Sequence, residues 1–389
     1  MTIKGLGTYL KKNIPQAIIT DSINKLKGYR VAIDGNLKIY QTVSAIQTDY
    51  IQMMPNPLAE IDRDIVLKNA LKVIISFIIS LVNVGITPVW CFDGESLKEK
   101  IKCKAGRVSN KDKIKTKLKN MREILEQKHI LLRTKEENLE YKSLLSQISY
   151  LHKTEVEFFK NAIESLGFPC LYAKYEGEKL CASLAMEGLV LGVWGNDSDN
   201  FALGTPLLIT GFNDEKDKDG KKQINIIDLR IILDHLKISH KLFLEVCILS
   251  GCDFNENIPS YGFSKNLGFI KKHGSIEPCI ENNVFKINKT IKKELEKLGE
   301  DDNNINFFIE KLNYNKCREI FSKEDSGYNE ESSELNFNYD LLKSNLEEVS
   351  ENNNLGYIQT SLFDSVKNIL EKPKTKIIVV EKKSRLLKN

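Results

Sequence analysis

The chain has 389 residues, of which 41% are hydrophobic and 28% charged, enough apolar material for one large domain or two ordinary ones. Its eight cysteines are scattered without a CxxC or a Cys/His cluster, which excludes a zinc module and reads as reduced thiols of a cytosolic or nuclear protein. The net charge of +4 is only mildly basic, so the distribution of charge has to speak instead.

The opening segment MTIKGLGTYLKKNIP has no long apolar stretch, so no secretory signal is expected. Arg30 to Ile33 (RVAI) read as a buried strand ending at Asp34 and Gly35. Residues 63–84 read as a helix. Its greasiest run, Val73 to Val82, is shorter than the about 20 residues that cross a bilayer, and it reads as the buried helix of a soluble protein. GITPVWCFDG supplies a second strand, Pro88 to Phe92, again ending in Asp-Gly at Asp93. A helix is expected over 155–167, a strand at FPCLYA, a helix over 178–188, a strand at LVLGVWG stopping before Asp197, strands at PLLITGF and QINIIDL, and a mostly helical stretch over 228–250. Alternating helices and apolar strands predict an α/β fold with a mostly parallel central sheet flanked by helices.

In such sheets ligands sit outside the carboxyl ends of the strands. Asp34, Asp93 and Asp197 all fall there. Any one of them reads equally as a turn residue or helix N-cap. Three strand ends together with the close pairs Glu176/Glu178 and Asp197/Asp199 ask for more. Carboxylates gathered in one place repel and resist burial, and hard divalent cations remove that cost. Two such ions about 4 Å apart can clamp the attacking and leaving oxygens of a phosphodiester.

MTIKGLGTYL, RVAIDGNLKIY, GITPVWCFDG, YEGEKLCASLAMEGLVLGVWGNDSDNFALG and CILSGCDFNENIPSYG, in this order, resemble the signature blocks of flap endonucleases, the XPG-type structure-specific 5′ nucleases. The likeness covers roughly residues 1 to 280 and continues more weakly to about 370. It implies a PIN-like 5′-nuclease fold with a helical arch and a helix–two-turn–helix DNA-binding element. Carried over position by position, the family's metal-binding acids are Asp34, Asp93, Glu176, Glu178, Asp197, Asp199 and Asp253, and all seven are acids here. Asp253 is supplied by the resemblance alone. The implied cofactor is Mg2+, two ions, for which Mn2+ may substitute.

The resemblance also divides the chain. Residues 1–97 form an N-terminal nuclease region, 98–150 a helical arch or gateway, and 151–280 an internal nuclease region with the helix–two-turn–helix at about 245–280. Residues 281–370 form a helical remainder of the core, and 371–389 a basic tail expected to be disordered. Residues 98–119 carry ten lysines and arginines against Glu99 and Asp112. Such a run is ordinarily a solvated helix face. At this place the family has the arch that passes a single-stranded 5′ flap, and Lys100 and Arg107 match its catalytic basic residues. Arg107 lies in KAGRVSN, outside an uninterrupted helical pattern. Tyr40, otherwise a core-facing tyrosine, matches the aromatic that stacks on a base beside the scissile bond. Asp197, among the acids, is taken as the catalytic one to test.

IPSYGFSKNL resembles the glycine-rich turn that grips duplex phosphates with the help of a K+ ion. Gly262 is kept, Ser264 and Lys265 (with His273) can meet phosphate, but Ser260 replaces the first glycine, which puts K+ in doubt. Thr2 likewise replaces a glycine near the active site. DKDGKKQINI has Ile226 where a calcium loop needs glutamate and reads as a surface hairpin. QTSLFDSV (359–366) lacks the paired aromatics of a sliding-clamp peptide, so no clamp partner is assigned.

The expectation is a two-metal 5′-flap endonuclease and 5′-3′ exonuclease acting on branched DNA in replication, repair or recombination. It would be monomeric, bound to no membrane and not secreted, placed in the nucleus or at a cytoplasmic replication site. The alternatives are a non-cleaving scaffold that binds branched nucleic acid and a 5′ nuclease whose main substrate is RNA.

Overall fold

The computed structural model describes residues 3–95, 101–216, 220 and 222–322, with backbone alone for 101–110 and 214–216. Short helix α1 (Leu6–Asn13) precedes edge strand β1 (Ile18–Ser22) and central strand β2 (Arg30–Asp34). Helices α2 (Gly35–Met53) and α3 (Arg63–Val82) lead to β3 (Thr87–Phe92). A helical excursion follows, α4 (Ile101–Glu126) and α5 (Lys135–Ser146), then α6 (Lys153–Ser165) and β4 (Cys170–Tyr172). Next come α7 (Gly177–Met186), β5 (Val193–Trp194), α8 (Asp199–Leu203), the hairpin β6 (Leu207–Lys216) and β7 (Lys222–Asp228), and α9 (Leu229–Leu236). The described chain ends in helices α10 (His240–Ser250), α11 (Phe263–His273), α12 (Ile276–Glu281), α13 (Lys289–Leu298), α14 (Asn306–Ile309) and α15 (Tyr314–Phe321).

The strands form one mixed sheet in the order β1-β7-β6-β5-β2-β3-β4. The pairs β2/β3, β2/β5, β3/β4 and β5/β6 are parallel, whereas β7 runs antiparallel to β1 and β6. Parallel strands need both faces covered, and the side chains divide accordingly. Val31, Ile33, Trp90, Phe92, Trp194 and Ile209 join one core with α2, α3 and α6. Ala32, Val89, Cys91, Val193 and Leu208 join the other with α7, α10 and α11. The one-residue alternation is the strand period of two, which sorts a single apolar run into two layers.

Two glycines explain the repeated Asp-Gly. A Cβ on Gly35 would lie 2.4 Å from the Phe92 ring, and a Cβ on Gly94 would lie 2.1 Å from the Ala173 carbonyl oxygen. Both strand ends are therefore crossed closely by a neighbour, which only glycine allows.

Several boundaries differ from the sequence reading. The apolar run Val73–Val82 belongs to a continuous 20-residue helix, α3, whose length and composition would suffice to cross a membrane. It instead buries Val66, Ala70, Ile74, Phe77, Ile78 and Leu81 in the core. LVLGVWG keeps only Val193–Trp194 as strand, after Gly188 turns the chain at φ 75°. The stretch 228–250 is two helices, broken where Lys237 adopts φ 51° and Ser239 caps α10. Arg107 lies within unbroken α4, since neither Gly106 nor the flanking polar residues interrupt the backbone hydrogen bonds. DKDGKKQINI lies across the β6–β7 hairpin, its residues 217–219 and 221 outside the described residues.

Candidate active site

The carboxyl edge of the sheet gathers the acids. Asp34 ends β2 and caps α2, its Oδ1 accepting from the Leu37 N–H at 2.9 Å. Asp93 follows β3, and its Oδ1 accepts from the Gly177 N–H at 2.7 Å. Its own N–H donates to Asn36 Oδ1 at 3.3 Å, tying the β3 end to the first turn of α2. Glu176 is the N-cap residue of α7 and Glu178 stands in its first turn. A Cβ on Gly177 would sit 3.2 Å from Asp93 Oδ1, so the glycine between the two glutamates lets α7 start against the β3 end.

On the other side of β2, Asp197 follows β5 and Asp199 opens α8. Asp197 Oδ1 accepts from the Asp199 N–H at 3.1 Å. Asp253 lies in the turn after α10 that the Cys252–Asn255 bridge closes. Burial, and then Asp197, Cys252 and Asp253 nearby, hold the Asp199 carboxyl well above the usual carboxylate range. Burial first, then Cys91, Asp34 and Glu178, push the Cys181 thiol up.

Asp199 is 3% exposed and its Oδ1 has no hydrogen-bond partner. A buried carboxylate oxygen without a donor, beside further carboxylates, is a cost that a hard cation offsets. Among the described residues no three His, Cys, Asp or Glu close into a ready-made cage. An open edge of carboxylates fits Mg2+, which holds to a few carboxylates and completes its shell with water and phosphate. The donor set therefore fits a hard divalent ion.

The other residues singled out in the sequence lie apart. Tyr40 is 39% exposed on α2, not turned into the core. Lys100 lies outside the described residues, as does the side chain of Arg107. Gly262, Ser264 and Lys265 are exposed at the start of α11, which Gly262 N-caps. Ser260, replacing a glycine, adopts φ 69°, the left-handed conformation glycine would favour. Its hydroxyl donates to Asn288 Oδ1 at 3.2 Å, and the Lys265 ammonium donates to its carbonyl at 3.0 Å. The His273 side chain ends the same helix. Peptide 359–366 and the tail 371–389 lie outside the described residues.

Four residues at the edge carried no signal in spacing: Asn36, Gly177, Ser198 and Asn200. Ser198 Oγ accepts from the Ile3 N–H at 2.8 Å, while the Lys4 N–H donates to the Gly251 carbonyl at 3.0 Å. The N-terminal segment is thus held between the Asp197 loop and the Asp253 turn. Asn200 donates from Nδ2 to Glu178 Oε1 at 2.7 Å and to the Asp197 carbonyl at 3.2 Å.

Comparison with known proteins agrees with this architecture. The XPG N-terminal domain matches residues 1–114 and the XPG I-region matches residues 167–253, together just over half of the 389 residues. The chain is 33% identical over 292 residues to flap endonuclease 1 of Cryptosporidium parvum, covering 72% of this chain and 56% of that protein. It is 28% identical over 285 residues to flap endonuclease 1 of Saccharomyces cerevisiae (strain RM11-1a), covering 72% and 68%. The chain spans 56% and 57% of the length of the two Cryptosporidium relatives it matches. In fold it is similar to flap endonuclease-1 from Methanococcus jannaschii, with a TM-score of 0.55 at 22% identity over 93% of this chain and 98% of that one. It is also similar to the catalytic core of Rad2 in complex with DNA substrate, with a TM-score of 0.58 at 16% identity over 93% and 99%. On the two matched XPG regions, the flap endonuclease relatives and this shared fold, the chain belongs to the XPG-type 5′ nuclease family.

Proposed function

We propose that the chain is a metal-dependent, structure-specific 5′ nuclease that hydrolyses phosphodiesters of branched DNA, as a 5′-flap endonuclease and 5′-3′ exonuclease. The observation that carries this reading is Asp199, a buried acid with an orphaned oxygen, pushed up by burial and its acidic neighbours at the carboxyl edge of a parallel sheet. Flap endonuclease relatives and the DNA substrate named for Rad2 support branched DNA as the substrate. The eukaryotic relatives support work in the nucleus.

Asp34, Asp93, Glu176, Glu178, Asp197, Asp199 and Asp253 would hold two Mg2+ ions. Such ions supply positive charge for the phosphoryl oxygens and a more acidic water. The chain's own residues do the rest. Backbone N–H groups fix the Asp34, Asp93 and Asp197 carboxylates before substrate arrives, so no reorganisation falls on the reacting state. The exposed first turn of α11, with Gly262, Ser264 and Lys265, meets duplex phosphate through helix N–H groups and the ammonium. The left-handed Ser260 keeps that turn open without glycine. Tyr40, exposed on α2, stacks on an unpaired base. The lysines of α4 draw the 5′ strand across the edge, and Lys100 and Arg107 meet the scissile phosphate.

Asp197→Asn tests the reading on a 5′-flap duplex with Mg2+. A loss of about 100-fold or more in cleavage rate is expected. A mutant cutting as fast as the parent refutes the assignment, and a parent that cuts equally in EDTA refutes the metal.

A further inference from the structure

We infer that Asn200 is a positioning residue that couples the two acid pairs, setting Glu178 and Asp197 in one fixed relation at the metal-bearing edge. The inference rests on the nuclease reading above. Asn200 is 2% exposed and belongs to α8, directly after Asp199. Its Nδ2 donates to Glu178 Oε1 at 2.7 Å and to the Asp197 carbonyl at 3.2 Å. Its Oδ1 accepts from the Thr205 hydroxyl at 3.2 Å, and its carbonyl accepts from the Thr205 N–H at 2.9 Å. Thr205 is fully buried.

This wiring fixes which way the amide faces. Turning it over would set the amide oxygen against a carboxylate and a carbonyl, two acceptors, so the donors must point at Glu178 Oε1 and the Asp197 carbonyl. The two elements joined are separate in sequence. Glu178 comes from the first turn of α7, whereas Asp197 comes from the loop after β5. Their carboxylates repel, and each side chain could turn away from the other by a rotamer change. A neutral double donor between them ties the Glu178 carboxylate to the backbone carbonyl of Asp197 without adding charge. It holds one Glu178 oxygen while leaving the pair's full negative charge for a cation. An aspartate there would add a third repelling carboxylate, and an alanine would leave Glu178 Oε1 without this donor.

The test uses the full chain with Asn200→Ala, Asn200→Asp and Thr205→Val. Mn2+ binding without DNA is followed by the paramagnetic resonance of the free ion, and flap binding is measured in EDTA. Asn200→Ala should weaken Mn2+ binding about 10-fold, in the range for partners that orient ligands. Its single-turnover cleavage should fall about 10- to 100-fold at saturating flap, partly restored by raised Mg2+. Flap affinity in EDTA should equal the parent's. Asn200→Asp should lower the metal-free melting temperature and regain more on Mg2+ addition than the parent does. An unchanged Mn2+ affinity in Asn200→Ala with a lowered melting temperature overturns the inference, leaving Asn200 as packing. If Asn200→Ala does not fold, Thr205→Val removes only the amide's anchor and must show a smaller shift of the same sign. No shift there overturns it equally. Unaltered Asn200 variants beside an inactive Asp197→Asn defeat this inference alone, whereas a parent that binds no Mn2+ defeats the nuclease reading.

Discussion

The acid edge and the basic helical pair α4–α5 are both dense in charge, yet they are built in opposite ways. At the edge, the carboxylates hang on strand ends and helix starts, take backbone N–H donors, and are crossed by a chain that only glycine admits. The α4–α5 pair instead packs through a small cluster, Leu58, Leu125 and Tyr141, with Leu118, Met121 and Leu145. Its cations reach back to carbonyls, Lys111 to Ser149 at 2.6 Å, Arg133 to Leu125 at 2.9 Å and Lys142 to Gln52 at 2.8 Å. Like charges that must stay close need a rigid frame. On the proposed function, cations that meet a mobile polyanion need only be carried to it, and exposed lysines serve without one.

The contrast breaks most sharply at Gly94. Gly94→Ala should cost about 3 kcal/mol, because the new Cβ meets the backbone carbonyl of Ala173, which cannot swing aside. A parent-like melting temperature would show that the edge has slack. Tyr141→Ala should cost about 3 kcal/mol at most, and locally: hydrogen exchange should quicken over 135–146 while β2 and β3 stay protected. Quickening in the strands as well would mean that the helical pair and the edge unfold as one unit.

A third probe concerns the support beneath Asp253. Helix α15 sits against that turn through Asn255, whose Oδ1 accepts from the Asn313 N–H at 2.7 Å, and through Phe254 and Phe321, ring centres 5.8 Å apart. Arg318 ties α15 down by pairing with Glu245 and Glu277. Chiefly the Arg318 hydrogen bond holds the Glu277 carboxyl down at about 2, below its ordinary value of 4.5. A depressed acid stabilises above its unfolded value and loses that contribution as pH falls through the folded one. The melting-temperature difference between the parent and Glu277→Gln should therefore be flat above about pH 5 and close between 4.5 and 2. A difference that does not vary with pH would mean that the pair contributes packing only.

The smallest effect belongs to the lysines. Lys117→Ala, on the exposed face of α4, should change stability by less than about 0.5 kcal/mol. If that lysine meets phosphate, the salt dependence of flap binding should flatten by about one unit of slope. An unchanged slope moves the strand's path off this part of α4.

The alternation of apolar runs and helices made the parallel core legible, because β2 and β3 are buried on both faces and need unbroken apolar residues. The antiparallel β1 was not legible: IITDS is half polar and pairs only at the sheet's edge, with β7. Asp34, Asp93 and Asp197 were legible as strand-end acids, whereas Asp253, in a turn after a helix, came from family likeness alone. Nothing in the residue spacing pointed to Asn200, since a buried asparagine looks like a turn residue until its partners are known.

The sequence by itself determined which residues are acids, where strands stop and where lysines cluster, because these depend on local composition and on periods of two and 3.6. Tertiary structure alone decided that the turn after α10 brings Asp253 near Asp199, that Gly177 lets α7 begin against Asp93, and that Asn200 joins Glu178 to the Asp197 loop. Those facts depend on the crossing of segments far apart in the chain, where the cost of bringing like charges together is met by burial and backbone donors that no local pattern records.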